Sequence, residues 1–118
     1  MNLAELFRHE NDLLELFAGN KLFMEGEQGD LMYVLMSGTA EIIVNNKQVE
    51  LAEPGAIVGE MAMIDDEKRS ATVVAVTDCK FLPIERKRFN FLVQQTPNFA
   101  IHVMRVIATR LRKTDSML

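Results

Sequence analysis

The sequence predicts a mainly β domain, a β-roll or jelly roll flanked by a short N-terminal helix and two C-terminal helices. Three observations carry that prediction. From residue 13 to about residue 84 the chain runs in short stretches rich in Val, Ile, Phe and Leu, cut by glycines at 19, 26, 29, 38, 55 and 59, the texture of short strands joined by turns. After Pro83 the apolar residues fall at three- and four-residue intervals, the spacing of helices. A length of 118 residues suits one ordinary domain closing a single core.

At the start, Leu3, Leu6 and Phe7 have helical spacing behind Asn2, a candidate N-cap, which places a short helix within residues 1–12. It is too short to be stable alone. The roll is expected over residues 13–85. Within it Met32–Met36 and Thr39–Val44 read as neighbouring strands, with Ser37-Gly38 as a tight connection and Asn45-Asn46 as the next turn. Strands spaced this closely curl up because closure protects their edges from other chains.

Residues 86–118 are expected to be helical, with helices over Arg86–Gln94 and Pro97–Thr114, and Pro97 suits a first helical turn. In the second helix Ala100, Met104, Ile107 and Leu111 form a stripe that Phe99, Val103 and Val106 widen. The stripe reads as core or as the seam of a homodimer, and its breadth points to packing on two sides. No repeat, low-complexity tract or Gly/Ser-rich linker interrupts the chain, so residues 1–118 are expected to be one domain with its helices folded back on the roll.

Composition removes several function classes. The net charge is -4, and the basic residues are scattered apart from Arg86-Lys87-Arg88 and Arg110, Arg112 and Lys113, so no direct DNA binding is expected. No apolar run approaches the roughly 20 residues of a membrane span. Cys79 is the single cysteine and the N-terminus lacks the pattern of a signal peptide, which makes the cytoplasm the expected compartment. His9 and His102, the two histidines, lie outside the strand region, so no metal site of a cupin-like enzyme is expected. Neither Ser70 nor Cys79 has a histidine beside it in sequence, and no catalytic residue is assigned.

The chemistry concentrates between Gly55 and Thr72. A glycine, Gly59, followed by Glu60-Met61-Ala62-Met63-Ile64 predicts one helical turn whose first N–H groups are unpaired and favour an anion. Arg69 and Ser70 then return towards the same place. A guanidinium, a hydroxyl and free amides suit the exocyclic oxygens of a phosphodiester. Glu60 would be repelled by a phosphate, so its role is to accept a hydrogen bond from a ligand hydroxyl such as a ribose 2′-OH. One anion-binding end and one hydroxyl-binding end describe a nucleotide.

These residues resemble the cyclic nucleotide-binding domain family of bacterial cAMP receptor proteins, kinase regulatory subunits and cyclic-nucleotide-gated channels. Phe17-Ala18-Gly19 and the stretch from Leu22 to Gly38 resemble its glycine-punctuated opening strands. Gly59-Glu60-Met61-Ala62 and Arg69-Ser70-Ala71-Thr72 resemble its phosphate-binding cassette, here residues 59–72. The resemblance implies that Glu60 and the Gly59 amide hold the ribose 2′-OH, and that Arg69, Ser70 and the Ala62 amide hold the cyclic phosphate. It places Met61 and Thr72 in the same cassette and gives Val58, Ala71 and Val73 the pocket wall. Val58 stands where the family commonly carries an aromatic residue. On the last helix the positions that reach the base in bacterial relatives correspond to Arg110 and Thr114, with Asp115 in place of a serine.

The implied function is a non-enzymatic sensor of a cyclic nucleotide, cAMP in the first instance, that passes its signal to an unknown protein partner through the C-terminal helices. The alternatives are a cGMP-preferring sensor, since the Ser70 hydroxyl could meet guanine, and an interaction or dimerisation module with a degenerate pocket. No other cofactor is implied.

Overall fold

A computed structural model describes residues 1–116. After α1 (Leu3–Leu6) come β1 (Leu14–Leu16), β2 (Lys21–Phe23), β3 (Leu31–Ser37), β4 (Ala40–Val44), β5 (Lys47–Ala52) and β6 (Ile57–Val58). A 3-10 turn (Glu60–Met63), β7 (Thr72–Ala75), β8 (Cys79–Glu85), α2 (Arg86–Gln95) and α3 (Pro97–Ser116) complete the order. Among the described residues the strands form two antiparallel four-stranded sheets, β1-β8-β3-β6 and β2-β7-β4-β5. This is the predicted jelly roll with flanking helices.

Period-two alternation explains the layering. On β3, Met32 and Val34 pack with the helices while Leu35 and Tyr33 face the opposite sheet. On β8, Leu82 and Ile84 join the helix layer and Cys79 and Phe81 the inter-sheet layer. The first sheet is thus covered on both faces, which is why its two central strands read as almost continuous apolar runs. In the turn between β4 and β5, Asn45 and Asn46 both have positive φ, at 51° and 65°, a conformation that asparagine tolerates and a tight hairpin requires.

The helices dock through aromatic anchors. Phe89 of α2 and Phe99 of α3 meet edge-on at 5.7 Å, and Phe99 has no exposed surface; burial of such a side chain is worth roughly 1.5–3 kcal/mol. The Asn2 side chain accepts from the Glu5 N–H and caps α1 as expected. The α3 stripe divides. Phe99 and Val103 turn inward with Val106 and Ile107 beside them, whereas Met104 and Leu111 are about 60% exposed. Docking on Phe89 fixes the rotation of α3, and one helix cannot face the roll with the whole of so wide a stripe. Among the described residues no helix is long and apolar enough to cross a membrane.

Candidate functional site: a cation, a carboxylate and an apolar slot

The 3-10 turn follows β6 directly. Gly59, at φ +73°, is its left-handed N-cap, a conformation cheap only for glycine. Inside the turn the Ala62 N–H donates to Gly59 O at 3.2 Å. The amide expected to meet the phosphate is therefore used to close the turn, because the tight i to i−3 pattern leaves fewer amides unpaired than an α-helical start would.

Arg69 lies against this turn. Its backbone is clamped to the segment before β3, with Arg69 N–H donating to Glu27 O and Gly26 N–H donating to Arg69 O, both at 2.8 Å. Its side chain is buried, with 9% of its surface exposed, and the guanidinium carbon sits 4.1 Å from the centre of the Phe23 ring. Nη1 makes a long contact of 3.4 Å to Gly59 O, while Nε is buried without a hydrogen-bond partner. No ion pair of Arg69 is seen among the described residues, Asp65, Asp66 and Glu67 included. Burial pushes the guanidinium below its usual pKa, opposed by the charges of Tyr33, Asp30, Glu27 and Glu60. Two glycines make its space: a Cβ at Gly29 or at Gly59 would collide with the guanidinium.

Glu60 is 5% exposed and is not solitary. Arg110 reaches across from α3, its Nη1 donating to Glu60 Oε1 at 2.7 Å and its Nη2 to Ile57 O at 2.6 Å. Glu50 of β5 accepts from the same guanidinium at both oxygens, Oε1 from Nε at 2.9 Å and Oε2 from Nη2 at 3.1 Å. Burial alone would raise the Glu50 carboxyl, but the bonds and charge of Arg110, with Lys113, hold it below its ordinary value. Burial would likewise weaken Arg110 as a cation, and Glu50 and Glu60 reverse that. Arg86, the first residue of α2, donates to Ala62 O at 2.6 Å and pairs with Asp66.

Two adjoining cavities result. A recess of about 60 Å³ is lined by Phe23, Val58, Gly59, Ala62, Lys68 and Arg69. A slot of about 320 Å³ is walled by Ile42, Val44 and Val49 of the roll and by Ile107, Leu111 and Thr114 of α3, a size typical of small-molecule sites. Ile42, Glu60, Met61, Ser70, Ala71 and Arg110 line both. The arrangement offers a buried cation and a hydroxyl at one end, a carboxylate in the middle and an apolar slot closed by a helix at the other.

Of the residues singled out from sequence, Val58, Gly59, Glu60, Met61, Ala62, Arg69, Ser70, Ala71, Arg110 and Thr114 come together around these cavities. Thr72 does not line them. Its hydroxyl accepts from the Glu25 N–H at 2.8 Å and ties β7 to the preceding turn, because strand alternation sends it away from the face that Ala71 and Val73 share. The Thr114 hydroxyl donates to Arg110 O, one turn back on its own helix. Sequence reasoning missed Phe23, Glu50 and Leu111. Glu50 stands opposite Ile42 in the β4–β5 register, and cross-strand partners share a face; only that pairing would have found it.

A model of the cyclic nucleotide-binding domain matches residues 13–96. The chain is 30% identical over 102 residues to the cyclic AMP receptor protein of Thermus thermophilus, covering 82% of this chain and 47% of that protein. It is 29% identical over 105 residues to lysophospholipase NTE1 of Chaetomium globosum, covering 84% of this chain and 7% of that enzyme. The crystal structure of the Thermus thermophilus catabolite activator protein superposes with a TM-score of 0.78 at 27% identity, over 98% of this chain and 55% of that one. The fold and the cassette define a small-molecule-binding β-roll, and the chain belongs to the cyclic nucleotide-binding domain family. It spans less than half the length of these curated relatives, and the lysophospholipase carries such a domain within a longer enzyme.

Proposed function

We propose that this chain is a non-enzymatic sensor domain that binds cAMP and hands the signal to a protein partner through α2 and α3. The observation that carries the reading is Arg69, a buried guanidinium with an unpartnered Nε in the recess that Glu60 also lines. A buried cation of this kind needs an anion. The cyclic phosphate supplies it, with the Ser70 hydroxyl as a further donor. Glu60 accepts from the ribose 2′-OH, and the purine lies in the slot between Ile42, Val44 and Val49 and the α3 residues Ile107 and Leu111. Adenine suits this mostly apolar slot, and the similarity to a cyclic AMP receptor protein is in keeping with it.

The exposed Met104 on α3 belongs to the surface that a partner or a second copy would read. A cytoplasmic setting is in keeping with Cys79, buried and unpaired. Isothermal titration with cAMP and cGMP tests the proposal. Saturable binding of cAMP, tighter than that of cGMP, is expected, and no heat from either ligand at high micromolar concentration would remove the sensor function.

A further inference from the structure

Arg110 of α3 brings a largely buried charge to the turn, and its partners are unequal. Glu60 takes one donor through Oε1, whereas Glu50 grips the guanidinium at two points. All three guanidinium nitrogens donate, the second contact of Nη2 going to Ile57 O at the start of β6. The side chains of Arg110 and Glu50 are 18% and 20% exposed and that of Glu60 is 6% exposed, so these bonds are largely out of water. Planar two-point contacts of this kind set orientation as well as energy.

We propose that Glu50 is a positioning residue for sugar recognition: by gripping Arg110 at two points it fixes the guanidinium so that Arg110 holds Glu60 by one oxygen, leaving the carboxylate its remaining acceptor capacity for the ligand's 2′-hydroxyl. The inference rests on the cyclic-nucleotide reading above and adds a residue to it. A carboxylate has more acceptor sites than one N–H occupies, so Arg110 can steer Glu60 without blocking it. Without Glu50, Arg110 would be free to wrap Glu60 with its full fork and compete with the sugar. Glu50 also balances charge. Two carboxylates, Glu50 and Glu60, face two cations, Arg110 and Lys113, the latter close enough to hold the Glu50 carboxyl down, so the slot carries no excess negative charge against an incoming cyclic phosphate.

The test compares cAMP with 2′-deoxy-cAMP on the wild-type chain and on Glu50→Gln, with a thermal melt of each to confirm folding. The wild type should prefer the ribo form, and Glu50→Gln should lose about 10-fold or more in cAMP affinity with little change for the deoxy analogue, collapsing the preference. Adding Glu60→Gln to Glu50→Gln should then cost little more, because both act through one hydrogen bond. An unchanged preference, or equal losses for both ligands, overturns the assignment of Glu50 while leaving the sensor reading intact. A wild type that binds neither nucleotide overturns the sensor reading itself and this inference with it. If Glu50→Gln does not fold, Glu50→Asp, which keeps the charge but shortens the reach, is judged by the same ratio.

Discussion

Replacing Arg69 with methionine should move stability and binding in opposite directions. In the free protein the substitution removes a buried donor without a partner, which costs about 1–3 kcal/mol where it stands. It also removes the stacking on Phe23, worth about 0.5–2 kcal/mol, and a 3.4 Å contact to Gly59 O too long to matter much. Methionine reaches as far as the Nε position and refills part of the space beside Gly29 and Phe23 with flexible apolar atoms. The balance is a free protein unchanged or stabilised by up to about 2 kcal/mol, a rise in melting temperature of about 3–6 °C per kcal/mol for a domain of this size. With cAMP the balance reverses. Two parallel charge-assisted bonds to phosphate at about 1.5–3 kcal/mol each correspond to a loss of about 10²- to 10⁴-fold in affinity. Thermal melts with and without ligand read both effects together, since ligand at a hundred times its Kd should raise wild-type stability by about 2.7 kcal/mol and leave the variant where it was. A variant that melts several degrees lower on its own yet keeps the full ligand-induced rise would show that Arg69 serves the fold and not the ligand.

Gly29→Ala places a Cβ against the Arg69 guanidinium at a position with ordinary backbone angles, so titration should show weaker cAMP binding by about 10-fold with a melting temperature near that of the wild type; undiminished affinity would mean the guanidinium has room to spare. Thr72→Val deletes the acceptor for the Glu25 N–H and should cost about 0.5–1.5 kcal/mol of stability in urea without altering ligand affinity, the reverse of what a ligand-binding Thr72 would show. Glu50 has a folded pKa held below its ordinary value near 4.5, so its contribution is complete above that value and fades as pH falls through the lower, folded one. Urea midpoints between pH 6 and pH 3 should therefore fall more steeply for the wild type than for Glu50→Gln, and parallel curves would contradict the clasp.

The fold was legible because each of its signals is local. The change from short β runs to three-and-four spacing near Pro83 marks the end of β8 and the start of α2, the Asn45-Asn46 pair forms the tight β4–β5 turn, and Pro97 opens α3. The turn over Glu60–Met63 was legible from the glycine before it. What escaped depends on contacts between distant positions. Arg110 finds Glu60 and Glu50 across 50 and 60 residues, and Thr72 finds Glu25 across 47. Phe23 looked like any apolar strand residue, and only its place under Arg69 distinguishes it. On α3 the pattern showed a broad apolar surface but not which half faces inward, since that is decided by the approach of Phe89 to Phe99. Apolar spacing reports what can be buried, and tertiary docking decides what is.

The hydrogen bond from Arg86 to Ala62 O gives the short turn a mechanical character that its length would not suggest. The turn is tethered to the first residue of α2 near one end and, through Glu60, to the penultimate turn of α3 at the other. Four residues hung between two helices in this way cannot drift as an isolated loop does. A displacement of the turn must stretch or drag both tethers, so the helices and the turn share one set of allowed positions. A thermal motion of the cassette is then spread over some thirty residues of helix rather than absorbed where it begins.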